Sequence, residues 1–252
     1  MRYPDPCGVI TLTTDFGLSD HYVGVMKGVI LTVYPAAKVV DISHGVEPFS
    51  VAQGAFYLAQ SYSRFPAGTV HVGVLDPGVG GPRRALAACA GGQYFVVPDN
   101  GLLSQVFDAE REAAVIAIDT ERYGLERPSR TFHGRDVFAP AAAWLARGTA
   151  FESMGARVDD FVRLGAAGPR VLNIDRFGNI VSSLLPADLP AGAALKVGRL
   201  SVRARAETYL DAPEGEPALI VGSSGRLEVS IREGSAAEAA GARIGDRCEV
   251  AG

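Results

Sequence analysis

Apolar residues in the first two thirds of the chain gather in short runs. Val9–Thr13, Val39–Ile42 and Val70–Leu75 are rich in β-type residues and apolar on both faces, the pattern of strands covered from two sides. Between them, His21–Tyr34 and Val51–Ser61 read as helices, with Asp20 placed to cap the first and Pro35 to end it. Leu86–Ala90, Tyr94–Val97 and Val115–Ile118 add strands, and Val137–Arg147 adds a helix for which Asp136 stands as the natural N-cap. Such alternation predicts an α/β domain over residues 1–164, with a central mainly parallel or mixed sheet between helices. The Gly/Ala/Pro stretch at 165–169 reads as a linker. Beyond it, short runs at 171–175, 180–184, 195–202, 218–221, 227–231 and 248–250 are divided by Gly, Pro or Asp. That spacing predicts a smaller all-β domain over 170–252, barrel- or sandwich-like.

Composition narrows the chemistry. The 252 residues are 48% hydrophobic and 21% charged, well inside the globular range. A net charge of -4 with only short basic groups gives no footprint for a nucleic-acid backbone, so a small-molecule partner is expected. The opening Met1–Pro6 is not an apolar leader, and no apolar run is long enough for a bilayer, so no membrane partner and a cytoplasmic location are expected. Cys7, Cys89 and Cys248 are odd in number and far apart, which argues against disulfides and a Cys-based metal site.

Polar clusters recur where the predicted strands end: Asp15 after the first, Ser43 and His44 after the second, Asp76 after the third. Ligands of open α/β sheets bind beyond the carboxyl ends of strands, so the recurrence matters more than any single member. Read alone, Asp15 is equally a turn or cap residue. Asp76 opens Asp76-Pro77-Gly78-Val79-Gly80-Gly81-Pro82-Arg83, whose glycines permit tight turns and whose prolines stiffen the path to Arg83. The loop is neither a dinucleotide fingerprint nor a P-loop. His133 lies in the approach to the helix near Val137, where a polar loop role is the alternative. Asp175-Arg176-Phe177-Gly178-Asn179 and Gly222-Ser223-Ser224-Gly225-Arg226 both read locally as hairpin turns.

Six clusters in order, Thr14-Asp15-Phe16-Gly17, Asp41-Ile42-Ser43-His44, Asp76-Pro77-Gly78-Val79-Gly80, Pro98-Asp99-Asn100-Gly101, Phe132-His133-Gly134-Arg135-Asp136 and Asp175-Arg176-Phe177-Gly178-Asn179, together resemble one family. It is the S-adenosyl-L-methionine (SAM) hydrolase family, or SAM hydroxide adenosyltransferases, related to fluorinase and chlorinase; the resemblance runs from about Val9 to Val250. It implies attack of water on SAM to give adenosine and L-methionine, SAM being substrate with no cofactor and no metal. It also implies a homotrimer whose sites lie at subunit interfaces. The family's catalytic Asp, Arg and His fall on Asp76, Arg83 and His133. The resemblance gives Asp15 the ribose hydroxyls and places Phe49 beside the sugar. Phe177 would stack on adenine, while Asp175, Asn179, Glu228 and either Ser223 or Ser224 would contact the adenine or methionine portions. His133 would receive or relay the proton, with the base unassigned.

Two other readings stay in view. A halide-using adenosyltransferase would need a pocket for a desolvated anion, which the Asp76 carboxylate would repel; the halogenase relatives also replace this aspartate and carry an extra loop in the first domain. A non-catalytic adenosine or SAM-binding protein would have no need of a converging Asp, Arg and His. A metal-dependent hydrolase is weaker, because His21, His44, His71 and His133 lack ligand spacing.

Overall fold

A computed structural model describes residues 2–126, 128–165 and 168–252. The chain divides into two compact units, Met1–Leu164 and Gly165–Gly252. Of the expected linker, Ala166 and Ala167 lie outside the described residues.

The first unit runs β1 (Val9–Thr14), α1 (Tyr22–Val33), β2 (Lys38–Ser43), α2 (Val51–Ser61), β3 (Val70–Val74), β4 (Ala85–Ala90), β5 (Gln93–Pro98), α3 (Ser104–Ala109), β6 (Ala113–Ile118), α4 (Thr120–Tyr123), α5 (Ala139–Ala146) and β7 (Gly155–Arg157). Its strands form one seven-stranded mixed sheet in the order β2-β1-β3-β5-β4-β6-β7. β2, β1, β3 and β5 are parallel neighbours, and β4, β6 and β7 pair antiparallel.

Alternation of side chains explains the two faces. Ile10, Leu12, Val70, Val72, Tyr94 and Val96 enter one core with Met26 and Ile30 of α1 and Leu145 of α5. Phe95, Val97, Leu86 and Ala88 enter the other with Ala55 and Leu58 of α2 and Val106 of α3. β3, β4 and β5 are buried along their whole length, as two covered faces require.

Two predicted caps are corrected. α1 begins after His21, whose own φ and ψ are already helical, and no side chain caps it, so Asp20 is not the N-cap. The helical run expected from Val137 starts earlier, with a π turn over Gly134–Phe138 that leads into α5. Asp136 lies inside this turn and is fully buried, so it is not the cap residue. Its carboxylate accepts instead from Ser129 N at 2.7 Å and from the neighbouring Arg135. π turns of this kind occur often at functional sites.

The second unit contains β8 (Val171–Ile174), β9 (Ile180–Ser182), β10 (Ala194–Val197), β11 (Leu200–Val202), β12 (Pro217–Val221), β13 (Leu227–Ile231), the five-residue helix α6 (Ala236–Ala240) and β14 (Cys248–Ala251). These build two antiparallel sheets, β11-β10-β14 and β12-β13-β9-β8, around a core of Ile180, Leu195, Val197 and Val229. The single run read at 195–202 is two strands turned at Gly198. Cys89 and Cys248 are buried free thiols, and Cys7 is an exposed one.

Candidate active site

β2, β1 and β3 are adjacent and parallel, so the residues that follow them emerge side by side. There a cavity of about 450 Å³ is lined by Asp15, Phe49, Asp76 and His133, with Phe16, Tyr22 and Phe132 among its other walls.

The loop after β3 turns back on itself so that Arg83 meets Asp76. Arg83 Nε lies 3.0 Å from both carboxylate oxygens, and Nη2 also donates to Oδ2. The same Nη2 reaches His133 Nδ1 at 2.7 Å. Arg83 therefore ties Asp76 to a side chain fifty positions later. Both members of the ion pair are largely buried, with side-chain exposures of 12% for Arg83 and 5% for Asp76. The Arg83 guanidinium also lies over the Phe138 ring, 5.1 Å from its centroid, which anchors the pair to the helical run that carries His133.

Backbone geometry holds the two loops together. Gly80 has φ +77, and a Cβ there would stand 2.4 Å from Arg130 O, so only glycine lets the Asp76 loop lie against the segment that approaches His133. On the other side, Asn100 Nδ2 donates to Leu75 O at 2.7 Å, and Asp99 holds Arg84 through its Nε at 2.8 Å. The Pro98–Gly101 cluster thus fixes both ends of the loop. Burial lowers the pKa of His133, the Arg83 charge lowers it further, and Asp76 and Asp136 pull the other way.

Asp15 accepts from Phe49 N at 3.0 Å. Phe49 sits at φ +68 with 71% of its surface exposed, a left-handed conformation that costs a residue with a Cβ. Thr14 Oγ1 meets His44 Nδ1 at 2.9 Å and accepts from Phe16 N, while Gly17 N donates to His44 O. His44 thereby links the loop carrying Asp15 to the end of β2. Phe16, Tyr22 and Phe132 form an aromatic wall with centroids 5.0 to 5.9 Å apart. Phe16 and Phe132 belong to two of the sequence clusters but were given no role there, and Tyr22 was not singled out.

In the second unit, Asp175, Phe177 and Asn179 line a separate cavity of about 580 Å³ with Tyr209 and Leu210. Asp175 Oδ1 accepts from Phe177 N and Asn179 N, both at 2.9 Å, and Oδ2 accepts from Asn179 Nδ2. This closed turn leaves Phe177 78% exposed at its tip. Glu228 is buried beside the cavity and accepts from Tyr209 OH at 3.1 Å. Burial raises the Glu228 pKa, against the Tyr209 hydrogen bond, and raises that of Tyr209 to about 12. Ser223 and Ser224 lie in the β12–β13 hairpin and are not among the residues lining this cavity. Tyr209 is a cavity residue that the sequence reading missed. Among the described residues, the two non-glycines with positive φ are Phe49 and Glu233, and each lines one of the two cavities.

Among the described residues no group of three His, Cys, Asp or Glu forms a metal-holding cluster, and no helix is long and apolar enough to cross a membrane.

The SAM hydroxide adenosyltransferase N-terminal domain matches residues 10–155, and the C-terminal domain of the same family matches residues 169–249. The chain is 42% identical over 246 residues to the (R)-S-adenosyl-L-methionine hydrolase of Thermus thermophilus, covering 92% of this chain and 95% of that protein. A fluorinase of Nocardia brasiliensis is 29% identical over 72% of each chain. A crystal structure of an uncharacterized conserved protein from Thermotoga maritima superposes with a TM-score of 0.87 at 35% identity, over 97% of this chain and 100% of that one. The chain belongs to the SAM hydroxide adenosyltransferase family.

Proposed function

We propose that the protein hydrolyses S-adenosyl-L-methionine, in the (R) form that the relative's name specifies, to adenosine and L-methionine. The observation that carries this reading is Arg83 bridging Asp76 and His133 in the wall of a cavity that Asp15 and Phe49 also line. The sulfonium supplies its own leaving group, neutral methionine, so no acid is needed at sulfur and no cofactor is invoked. Catalysis then rests on the nucleophile. As water attacks the ribose C5′, positive charge moves from sulfur to the incoming oxygen, and a fixed carboxylate stabilises that charge more in the transition state than in the ground state. Asp76 supplies the carboxylate, Arg83 fixes it, and His133 completes the contact with the water. Holding the water in line with the C5′–S bond adds the orientation that free reactants lack.

Asp15 is assigned to the ribose hydroxyls and Phe49 to the sugar wall. In the second unit Phe177 is assigned to stacking on adenine, and Asp175, Asn179, Glu228 and Ser223 or Ser224 to polar contacts with the adenine or methionine portions. The family resemblance implies a homotrimer in which one copy's first unit and a neighbour's second unit complete each site, and the exposed rings of Phe49 and Phe177, each at a cavity, leave apolar surface for such a contact. A cytoplasmic location is consistent with a substrate made and used inside cells.

Incubating the purified protein with SAM and separating the products tests the reading. Adenosine and L-methionine in equal amounts are expected, with or without chloride. A halonucleoside would transfer the chain to the halogenase reading, and intact SAM after hours with adenosine tightly bound would make it a binding protein.

A further inference from the structure

The Asp41-Ile42-Ser43-His44 cluster supplies no wall to the substrate cavity, yet its histidine grips a loop that does. β1 and β2 pair in register as far as Leu12 and Asp41, after which Thr13 faces Ser43. β2 therefore holds one extra residue there, a bulge, and a bulge re-aims the side chains beside it. His44 follows directly and turns inward, 5% exposed, although no residue of β2 itself is fully buried.

The imidazole stands between two partners. Its Nε2 is 3.0 Å from Asp41 Oδ1, and the other oxygen of Asp41 accepts from Lys27 Nζ at 2.6 Å. Its Nδ1 is 2.9 Å from Thr14 Oγ1. Thr14 is fully buried, so its hydroxyl has no water to turn to, and the imidazole fixes its rotamer whichever way the shared proton points. The same hydroxyl accepts from Phe16 N at 3.2 Å, closing a turn with Asp15 at its centre. The main chain of His44 closes the other side, where its carbonyl accepts from Gly17 N at 2.7 Å. One residue thus holds the loop both before and after Asp15. Asp15 in turn lines the cavity and accepts from Phe49 N at 3.0 Å.

We infer that His44 is a positioning residue for substrate binding. It holds Thr14 and Gly17 so that the Asp15 carboxylate is aimed at the ribose hydroxyls before substrate arrives, and Asp41 and Lys27 hold the imidazole. This rests on the hydrolase reading above and on the place of Asp15 in it. A loop freed from His44 would have to be ordered at the moment of binding, which weakens affinity. Once substrate is bound, Asp15 occupies the same position, so the step at C5′ is largely unchanged.

Substitutions at Thr14 test the link without opening a cavity. Thr14→Val keeps the shape of the buried side chain and removes the hydroxyl, whereas Thr14→Ser keeps the hydroxyl. By calorimetry, Thr14→Val is expected to bind adenosine about tenfold more weakly and Thr14→Ser within about threefold of the native protein. His44→Gln, whose amide reaches toward Asp41 and not toward Thr14, should match Thr14→Val. In both weak variants KM for SAM should rise in parallel, with turnover at saturation falling by less than about threefold. In an Asp15→Ala background, Thr14→Val should weaken adenosine binding by no more than about twofold further, because the group it positions is gone. Four results would overturn the inference: native affinity in Thr14→Val or His44→Gln, Thr14→Ser as weak as Thr14→Val, lost turnover at unchanged affinity, or the full tenfold loss repeated without Asp15. The calorimetry needs no turnover. A native protein that binds adenosine but releases none from SAM would remove the hydrolase reading, while the affinities would still decide the role of His44.

Discussion

Single side chains here divide into those that meet the cavity and those that hold its walls, and substitutions should separate the two. Asp76→Ala removes the carboxylate that takes both Nε and Nη2 of Arg83, so adenosine release should slow about a hundredfold while adenosine still binds. Rapid-quench and binding assays read the two effects separately; equal losses in both would argue for a collapsed pocket. Asp15→Ala should chiefly weaken binding, because ribose contacts are made before chemistry. His71 offers a stability test away from the cavity. Its ring is fully buried, stacked on Phe95 and bonded through Nδ1 to Thr11, and burial lowers its pKa to about 4. Since the unfolded value is about 6.5, the unfolded chain binds the proton first as pH falls. Stability is therefore full above pH 6.5 and declines toward pH 4, by an amount on the order of 3 kcal/mol. Urea unfolding should show this slope in the native protein and a shallower one in His71→Asn; identical slopes would contradict it.

Secondary-structure elements set the positions of these groups. β1, β2 and β3 deliver Asp15, His44 and Asp76 to one edge because all three are parallel and adjacent. The Asp76 loop is held against the approach to His133 at Gly80, where an added methyl would meet Arg130 O. Gly80→Ala should cost about 1 to 3 kcal/mol of stability and slow turnover, since it pushes apart the carriers of Asp76 and His133. Thermal unfolding beside an activity assay reads both, and an unaffected variant would show that the two loops are not coupled. β3, β4 and β5 were legible in the sequence because burial on two faces leaves continuous apolar runs, whereas β2, read as covered from two sides, is a sheet-edge strand with no fully buried residue. The four- to six-residue helices α3, α4 and α6 and the three-residue β7 are too short to establish a period. Asp20 and Asp136 misled for a different reason: both precede apolar helical spacing, but the chain is already helical at His21 and at Gly134. Tyr22 and Tyr209 escaped notice, and Phe16 and Phe132 stood in their clusters without a role, because an aromatic that walls a cavity has no local signature separating it from a core aromatic.

At the scale of the whole molecule, the account assigns each reaction site to two copies of the chain. Light scattering should then give about three times the 26.4 kDa chain mass. Subunit mixing tests the arrangement directly. Asp76→Ala and Asn179→Ala proteins, each inactive or nearly so, should regain up to about a quarter of native turnover after joint refolding, because some interfaces then combine two intact halves. No recovery on mixing would place both halves of the site within one chain. The central chemical claim is that solvent oxygen attacks the ribose carbon bearing the sulfonium. Hydrolysis run in oxygen-18 water, with the adenosine examined by mass spectrometry, tests it in one step. The account predicts that the 5′-hydroxyl carries the heavy isotope in proportion to its abundance in the water. Adenosine with an unlabelled 5′-oxygen would contradict it.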